Sequence, residues 1–223
     1  MISGGFTYAH FEFLLQGAVW TICLSLIAFI GGGVAGGIVA LLRISSMAPV
    51  RWLSYLYVQV IQGTPLLVLL FVAYFGLSIA GLTLTGLAAA GIAMVIYVSA
   101  YLGEIWRGCI ESVAKTQWEA AECLALSRSQ RMRLVILPQA MRIATPPTVG
   151  FMVQIVKNTS LASIVGFVEL VRAGQLINNS IFQPFLVYVL IALFYFAMCY
   201  PLSVWSRKLE RKLQYGARST LSA

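Results

Sequence analysis

The chain has 223 residues, 60% of them hydrophobic and 10% charged, with a formal net charge of +8 and a mean hydropathy of +0.89. Soluble domains carry roughly 25% charged residues, so this composition describes a membrane protein, with no room for a separate soluble catalytic domain of about 100 residues or more. The basic excess reports topology and anionic lipid headgroups and gives no reason to invoke nucleic acid.

Met1 to Glu12 contains no basic residue, and the apolar run behind it is too long for a signal-peptide core, so the first span is expected to stay in place. Phe6 to Phe13 is short and aromatic-rich, which predicts an interfacial segment leading into a span over 13–42. Within that span Gly32/Gly36 and Gly33/Gly37 are small-xxx-small pairs suited to close helix packing. The same glycine run lacks the Lys-Ser/Thr of a nucleotide-cradling loop.

Trp52 to Gly103 is uncharged throughout and too long for one helix. The turn-like stretch Gly81 to Gly86 splits it into spans near 54–80 and 87–103. In the first of these, Gln62-Gly63-Thr64-Pro65 joins a polar side chain to two helix breakers. Freed backbone groups at membrane depth must face protein or a water-filled path, which either a proline kink or a pore-lining element satisfies. Thr145-Pro146-Pro147 reads as a cap with proline at the first helical position, opening a fourth span over 145–167, and Gln183-Pro184 opens a fifth over 184–206 in the same way. Trp52, Tyr55, Trp106 and Trp205 fit interfacial belts.

Five spans place the termini on opposite sides. Thirteen of the fifteen basic residues fall on one side, Arg172 alone lies on the other, and Lys157 lies inside a span. The positive-inside rule therefore puts the 104–142 loop and the C-terminus in the cytoplasm and the N-terminus outside.

The 104–142 loop carries two S/T-x-x-E/Q spacings, Thr116 to Glu119 and Ser127 to Gln130. Each predicts a capping box, so two short helices joined by a turn near Leu126 and Ser127 are expected, with Thr116 capping the first and Glu119 returning a bond. A helix carrying Ala120, Ala121, Cys123, Leu124 and Ala125 is too short to stand alone in water and needs a surface to lie against. On these local signals alone, a loop packed on its own protein is the preferred reading over a docking element.

His10 is the single histidine, and Cys23, Cys109, Cys123 and Cys199 form no C-x-x-C pair, which excludes zinc sites and histidine-based catalysis. No ATPase signature is present, so the chain is not expected to be an enzyme. Lys157 stands about eleven residues, or ~16 Å, into the fourth span, near mid-bilayer. Asn158, Thr159 and Ser160 follow it with hydrogen-bonding groups where lipid offers none. An ionisable residue there defaults to a pathway role, against the alternative of a pairing that only holds the bundle together. Glu169 and Arg172 read as a surface pair at i, i+3 on a helix end.

Glu119-Ala120-Ala121 with Leu137-Pro138 resembles the cytoplasmic loop of ABC importer permeases, whose pattern is EAA, three residues, Gly, nine residues, Ile, one residue, Leu-Pro. Val135 stands at the Ile position and Ala125 at the Gly position, where a left-handed backbone costs alanine about 1 kcal/mol relative to glycine. The stretches 14–26, 62–71, 99–108, 156–166 and 199–213 extend the likeness over almost the whole chain, to permeases for polar amino acids of the histidine/glutamine/glutamate type. Gln62 stands where that family usually has Arg, and Asn158 where it is often acidic.

The resemblance implies an all-α integral membrane permease of about five spans, one transmembrane domain over 1–223, in the cytoplasmic membrane of a bacterium. It implies a second permease subunit, a cytoplasmic ATPase that alone binds ATP, and an extracytoplasmic amino acid-binding protein. Glu119, Ala120, Ala121, Ala125, Leu137 and Pro138 are the expected ATPase-coupling residues. Lys157, Asn158, Thr159, Ser160, Gln62 and Thr64 are the expected pathway residues. Neither a metal nor a cofactor of the chain's own is expected. An ATP-independent channel or secondary carrier is the competing reading; it accounts for Lys157 and the broken second span but leaves the paired loop helices unexplained.

Overall fold

Thr7 precedes a helix that runs unbroken from Tyr8 to Arg43 (α1), 36 residues and about 54 Å long. The computed structural model describes residues 5–219. The backbone N–H of Thr7 donates to Nδ1 of His10 at 3.1 Å, which closes the helix start. Phe6 to Phe13, expected as an interfacial lead into the first span, runs into α1 without a break and supplies its first turns. One face of α1 presents Ile22, Leu26, Ile30, Val34 and Ile38, all exposed at four-residue intervals, the stripe a helix shows to lipid.

The span expected over 54–80 is not a single helix. α2 (Ala48–Gly63) ends at Thr64, whose extended backbone (ψ 130°) leads into Pro65, and α3 (Leu66–Ile79) leaves at an angle of 101°. Residues Val72–Gly76 of α3 form a π turn. A left-handed Gly81 (φ 87°) completes the reversal, and Thr85 caps α4 (Gly86–Glu111) by accepting from Ala88 N at 3.2 Å. α4 passes the expected end at Gly103 by two turns, because Glu104, Arg107 and Glu111 pair at i, i+3 and i, i+4 spacing and support the helix where it leaves the apolar zone.

α5 (Lys115–Cys123) is the short loop helix. α6 (Arg128–Val165) is continuous: a π turn over Arg131–Ile136, regular helix from Leu137 to Asn158, then a tightened 3-10 stretch ending at left-handed Gly166 (φ 82°). Thr145 is thus no cap, and Pro146 and Pro147 lie inside α6. Their missing N–H groups leave the carbonyls of Arg142 and Ile143 without an intrahelical donor; nearby, Thr145 Oγ1 donates to Met141 O at 2.8 Å and Ser206 Oγ to Pro146 O at 3.0 Å. α7 (Leu170–Ile181) is a short amphipathic helix that buries Leu170, Ala173, Ile177 and Ile181. α8 starts at Pro184 and continues past Ser206 to Ser219.

Among the described residues α1, α4, α6 and α8 are long and apolar enough to cross a membrane, and the α2–α3 pair gives a fifth if it is one broken span. The charged residues gather at one end, hereafter the basic end. α1 and α4 run side by side through glycine contacts. A Cβ on Gly103 would stand 2.6 Å from Val39 Cγ1, and one on Gly36 3.1 Å from Leu102 Cβ, so these backbones approach as closely as they do only without side chains. Gly32 packs into the same seam against Val98, whereas Gly33 and Gly37 meet only the ring of Trp106. That indole is not in an interfacial belt: it packs into the main core and donates to Thr148 Oγ1 at 2.9 Å. Trp52, Tyr55 and Trp205 are exposed.

Glu169 and Arg172 do not form a surface pair. Glu169 is 0% exposed and its carboxylate caps α7, accepting from the N–H groups of Val171 and Arg172 at 2.9 Å each. Arg172 turns to Gln175 Oε1 instead, at 3.3 Å.

Candidate coupling loop and translocation face

α5 does not begin as its sequence pattern suggested. Ala114 stands at its N-cap with no side-chain bond, and Thr116 lies within the first turn. Glu119 returns nothing to the helix start; it pairs loosely with Lys115 at 3.5 Å, both side chains mostly exposed. The capping pattern fails here because the helix starts two positions early, taking both Lys115 and Thr116 into its first turn. Ser127 and Gln130 do form a reciprocal box, with Gln130 N donating to Ser127 Oγ at 3.4 Å and Ser127 N to Gln130 Oε1 at 2.9 Å.

Between the two helices the chain reverses at Ala125, which is left-handed with φ 52°. The N–H of Ala125 donates to Glu122 O at 2.9 Å and that of Leu126 to Ala121 O at 3.3 Å. This paired arrangement is a Schellman motif, with alanine at the position glycine favours.

α5 is two-faced. Ala121 is 2% exposed and Trp118 packs with Ile110, Val113, Ile136 and Ala140 in a small core that Leu137 also joins. The opposite face presents Glu119, Ala120 and Cys123 outward, and Leu124 is 74% exposed. The helix is braced from behind: Arg131 Nη1 reaches Glu122 Oε2 at 3.0 Å across the turn, and Gln139 Nε2 donates to Gln117 Oε1 at 3.2 Å and to Val135 O at 2.9 Å. Pro138 has no N–H for the carbonyl four residues back, and the π turn immediately before it widens the helix at that point.

A charge network joins this region to the spans. Arg43, at the end of α1, donates to Glu104 at 3.3 Å and lies over the ring of Tyr55 with 5.0 Å to the centroid. Arg107 donates to the same Glu104 at 3.0 Å and also pairs with Glu111. Arg128, at the start of α6, donates to Ile44 O at 3.1 Å.

Farther along α6, Lys157 is exposed and belongs to none of the ion pairs among the described residues. Asn158 accepts from Gln154 Nε2 at 3.0 Å and stands beside the hydroxyl of Tyr97. Tyr97 lies near the middle of α4, which sets the depth of this patch. Tyr97 and Tyr101 have ring centroids 4.5 Å apart, and Tyr101 stacks on Phe151 at 5.5 Å and 15°. The result is a partly open face carrying two amides and two phenols, backed by aromatic rings, with Lys157 exposed on the same helix beside Asn158 in sequence.

The other expected pathway residues separate into two groups. Thr159 is wholly buried and bonds back to Val156 O at 2.8 Å, so it contributes to packing and does not face the open patch. Ser160 bonds to Lys157 O at 2.7 Å. Gln62 reaches Ala100 O on α4 at 3.5 Å, and Thr64 bonds to Val60 O at 2.7 Å. No hydrogen bond links Gln62 or Thr64 to the Lys157–Ser160 segment among the described residues.

Residues 32–215 match the family described as the inner membrane component of binding-protein-dependent transport systems. The chain belongs to this family. It is accordingly a transport permease and a multi-pass inner-membrane protein. The permease is 38% identical to a probable amino-acid ABC transporter permease of Bacillus subtilis (strain 168), with 91% of this chain and 89% of that one covered. It is 39% identical to a probable glutamine ABC transporter permease of the same organism, covering 93% and 96%. Among solved structures, a crystal structure of an amino acid ABC transporter with histidines superposes with a TM-score of 0.87 at 32% identity, over 92% of this chain and 95% of that one. The MetNI methionine ABC transporter in an inward-facing conformation shares the fold, with a TM-score of 0.74 at 18% identity over 92% and 99%.

Sequence reasoning passed over the Tyr97–Tyr101–Phe151 stack and Gln154. Their signal was present as two tyrosines at i, i+4 in an uncharged span. It also passed over α7, whose apolar residues at 170, 173, 177 and 181 follow helical spacing behind an acidic cap.

Proposed function

We propose that this permease forms half of the translocation path of an ABC importer for a polar amino acid. A separate cytoplasmic ATPase supplies the energy, a second permease subunit of the same or a related sequence completes the path, and an extracytoplasmic binding protein delivers the substrate. The chain itself binds no ATP and carries no cofactor, and its basic end and C-terminus face the cytoplasm. The observation that carries this reading is the braced, two-faced α5. A helix held from behind by Ala121, Trp118 and the Glu122–Arg131 pair, and presenting Glu119, Ala120 and 74%-exposed Leu124 outward, suits a rigid insert for a partner's groove. On that insert Ala125 shapes the turn, and Leu137 and Pro138 anchor the base.

The substrate reading follows from the open face and from the names of the relatives. Gln154, Asn158 and two tyrosine hydroxyls meet there with no carboxylate among them, and Lys157 stands one residue before Asn158 on the same helix. Such a face suits a carboxylate and an amide or acidic side chain better than a cationic one. Gln62 and Thr64 line the neighbouring break between α2 and α3, and Ser160 the far edge.

Reconstitution with its cognate ATPase and binding protein tests the proposal. Expected is ATP-dependent uptake of glutamine or a related amino acid in preference to arginine. Uptake that proceeds without ATP would establish a carrier instead.

A further inference from the structure

A groove of about 470 Å³ runs between α6 and α8 at the basic end, with Gly150 about two helical turns before Lys157 on α6. Ile143, Pro146, Pro147, Gly150 and Leu213 form its mostly hydrocarbon walls, and Ser206 and Glu210 line it from α8. Its depth can be read along α8. Ser206 is 22 residues beyond Pro184, about 33 Å along the helix, so the groove lies where the ~30 Å hydrocarbon core gives way to headgroups. The exposed indole of neighbouring Trp205 fits that level.

The polar groups of the groove are acceptors. Glu210 belongs to none of the ion pairs among the described residues. The Ser206 hydroxyl spends its proton on Pro146 O at 3.0 Å. Pro146 and Pro147 donate nothing to the carbonyls of Arg142 and Ile143, four residues back. Just outside, Arg142 adjoins Ile143 on α6, and Arg207 and Arg211 adjoin Ser206 and Glu210 on α8; all three are exposed. Helix spacing sets Arg142 one turn before Pro146 and Arg207 one turn before Glu210, so an apolar slot with a carboxylate in its lining has a cation within a turn on each helix, which is complementary to a zwitterion bearing an acyl chain.

We infer that this groove binds one phosphatidylethanolamine. Its acyl chain lies along the Pro146–Pro147–Gly150 wall, its primary ammonium donates to Glu210, and its phosphate meets the flanking arginines. Phosphatidylcholine offers no N–H to Glu210, and phosphatidylglycerol brings no cation, so the headgroup decides the fit.

Native mass spectrometry of the full-length permease, extracted as its intact assembly and exchanged into micelles doped with phosphatidylethanolamine, phosphatidylcholine or phosphatidylglycerol, tests the inference. The wild type should retain phosphatidylethanolamine at least about ten-fold better than the other two, the difference expected for one charge-assisted hydrogen bond. Glu210→Gln should erase that preference while leaving the thermal midpoint in lipid-free micelles unchanged, since Glu210 is exposed. Gly150→Leu should lower retention of all three lipids. A Cβ at position 150 makes only an ordinary contact, 3.4 Å from Ser206 Oγ, so the rest of that side chain fills the slot. Equal retention of the three lipids by the wild type, or an unchanged preference in Glu210→Gln, would overturn the inference. So would a photo-crosslinker at position 150 that captures polypeptide in place of lipid.

Discussion

The hydroxyl of Tyr195 donates to Oε2 of Glu169 at 3.1 Å, joining α8 to the cap of α7 inside the protein. Thr21 of α1 completes the junction: its Oγ1 lies 3.5 Å from the same carboxylate oxygen and accepts from Leu170 N at 3.3 Å. Three helices thus meet on one buried carboxylate. Replacing Glu169 with Ala leaves two backbone N–H groups and a phenol without their acceptor and should destabilise the permease by about 2–4 kcal/mol. Glu169→Gln keeps one acceptor and should cost less, and Tyr195→Phe about 1 kcal/mol. Thermal unfolding of the purified variants checks the order; an unchanged midpoint in Glu169→Ala would show that α7 is held by its apolar face alone.

Ala125 holds a backbone conformation that glycine adopts freely. Ala125→Gly should stabilise the loop by about 1 kcal/mol and preserve or improve assembly with the ATPase, whereas Ala125→Val should impair it, because a β-branched side chain is strained at positive φ. Limited proteolysis of the loop and co-purification of the ATPase measure both effects. Equal behaviour of the two variants would mean that the turn tolerates any side chain.

The outward face of α5 should be separable from its inward face. Leu124→Glu, and Glu119→Lys beside Lys115, alter exposed groups and should release the ATPase without reducing membrane insertion. Ala121→Leu pushes into a site only 2% exposed and should lower loop stability itself, by about 1–3 kcal/mol. Retained ATPase in all three variants would place the docking surface elsewhere.

Lys157 offers a test that distinguishes transport from architecture. With no ion-pair partner among the described residues, it can be replaced by Met without stranding a carboxylate. Lys157→Met should therefore keep subunit assembly and the thermal midpoint while abolishing uptake, and the binding protein should retain its affinity. Wild-type uptake by this variant would remove Lys157 from the path, and loss of assembly would assign it to a subunit contact.

The parts of the fold most legible in the sequence were those decided by the membrane as solvent. Uncharged runs located α1, α4 and α8, because a lipid-exposed backbone has no alternative to a continuous helix. The cap at Ser127 and the start at Pro184 were equally plain. Signals that depend on a neighbour were misread. Pro146 looked like a helix start because nothing within a turn of it shows that the helix from Leu137 runs on through both prolines, and the α8 residue it packs against, Ser206, lies 60 residues away. Trp106 resembled a belt residue because Thr148 and the glycines of α1 that enclose it belong to other helices. Glu169 looked like half of a surface pair, since nothing within i, i+4 reveals Tyr195 or Thr21. In the loop, the short helix was legible and its first residue was not, the cap lying at Ala114, two positions before Thr116. Of the open face, Lys157 and Asn158 announced themselves by polarity in an apolar run, whereas the aromatic stack across two helices did not.

The π turn at Arg131–Ile136 has a consequence for how motion at α5 reaches the membrane. A π turn carries one residue more than a regular turn, so it rotates the helix that follows by roughly 100° relative to the helix before it. Phe151, Gln154, Lys157 and Asn158 all lie downstream of that extra residue. Winding the turn back into regular helix would carry these side chains about a quarter of the way around the axis of α6 while the apolar composition of the span stays the same, so a twist at the loop becomes a change of which side chains α6 turns toward α4 and α8.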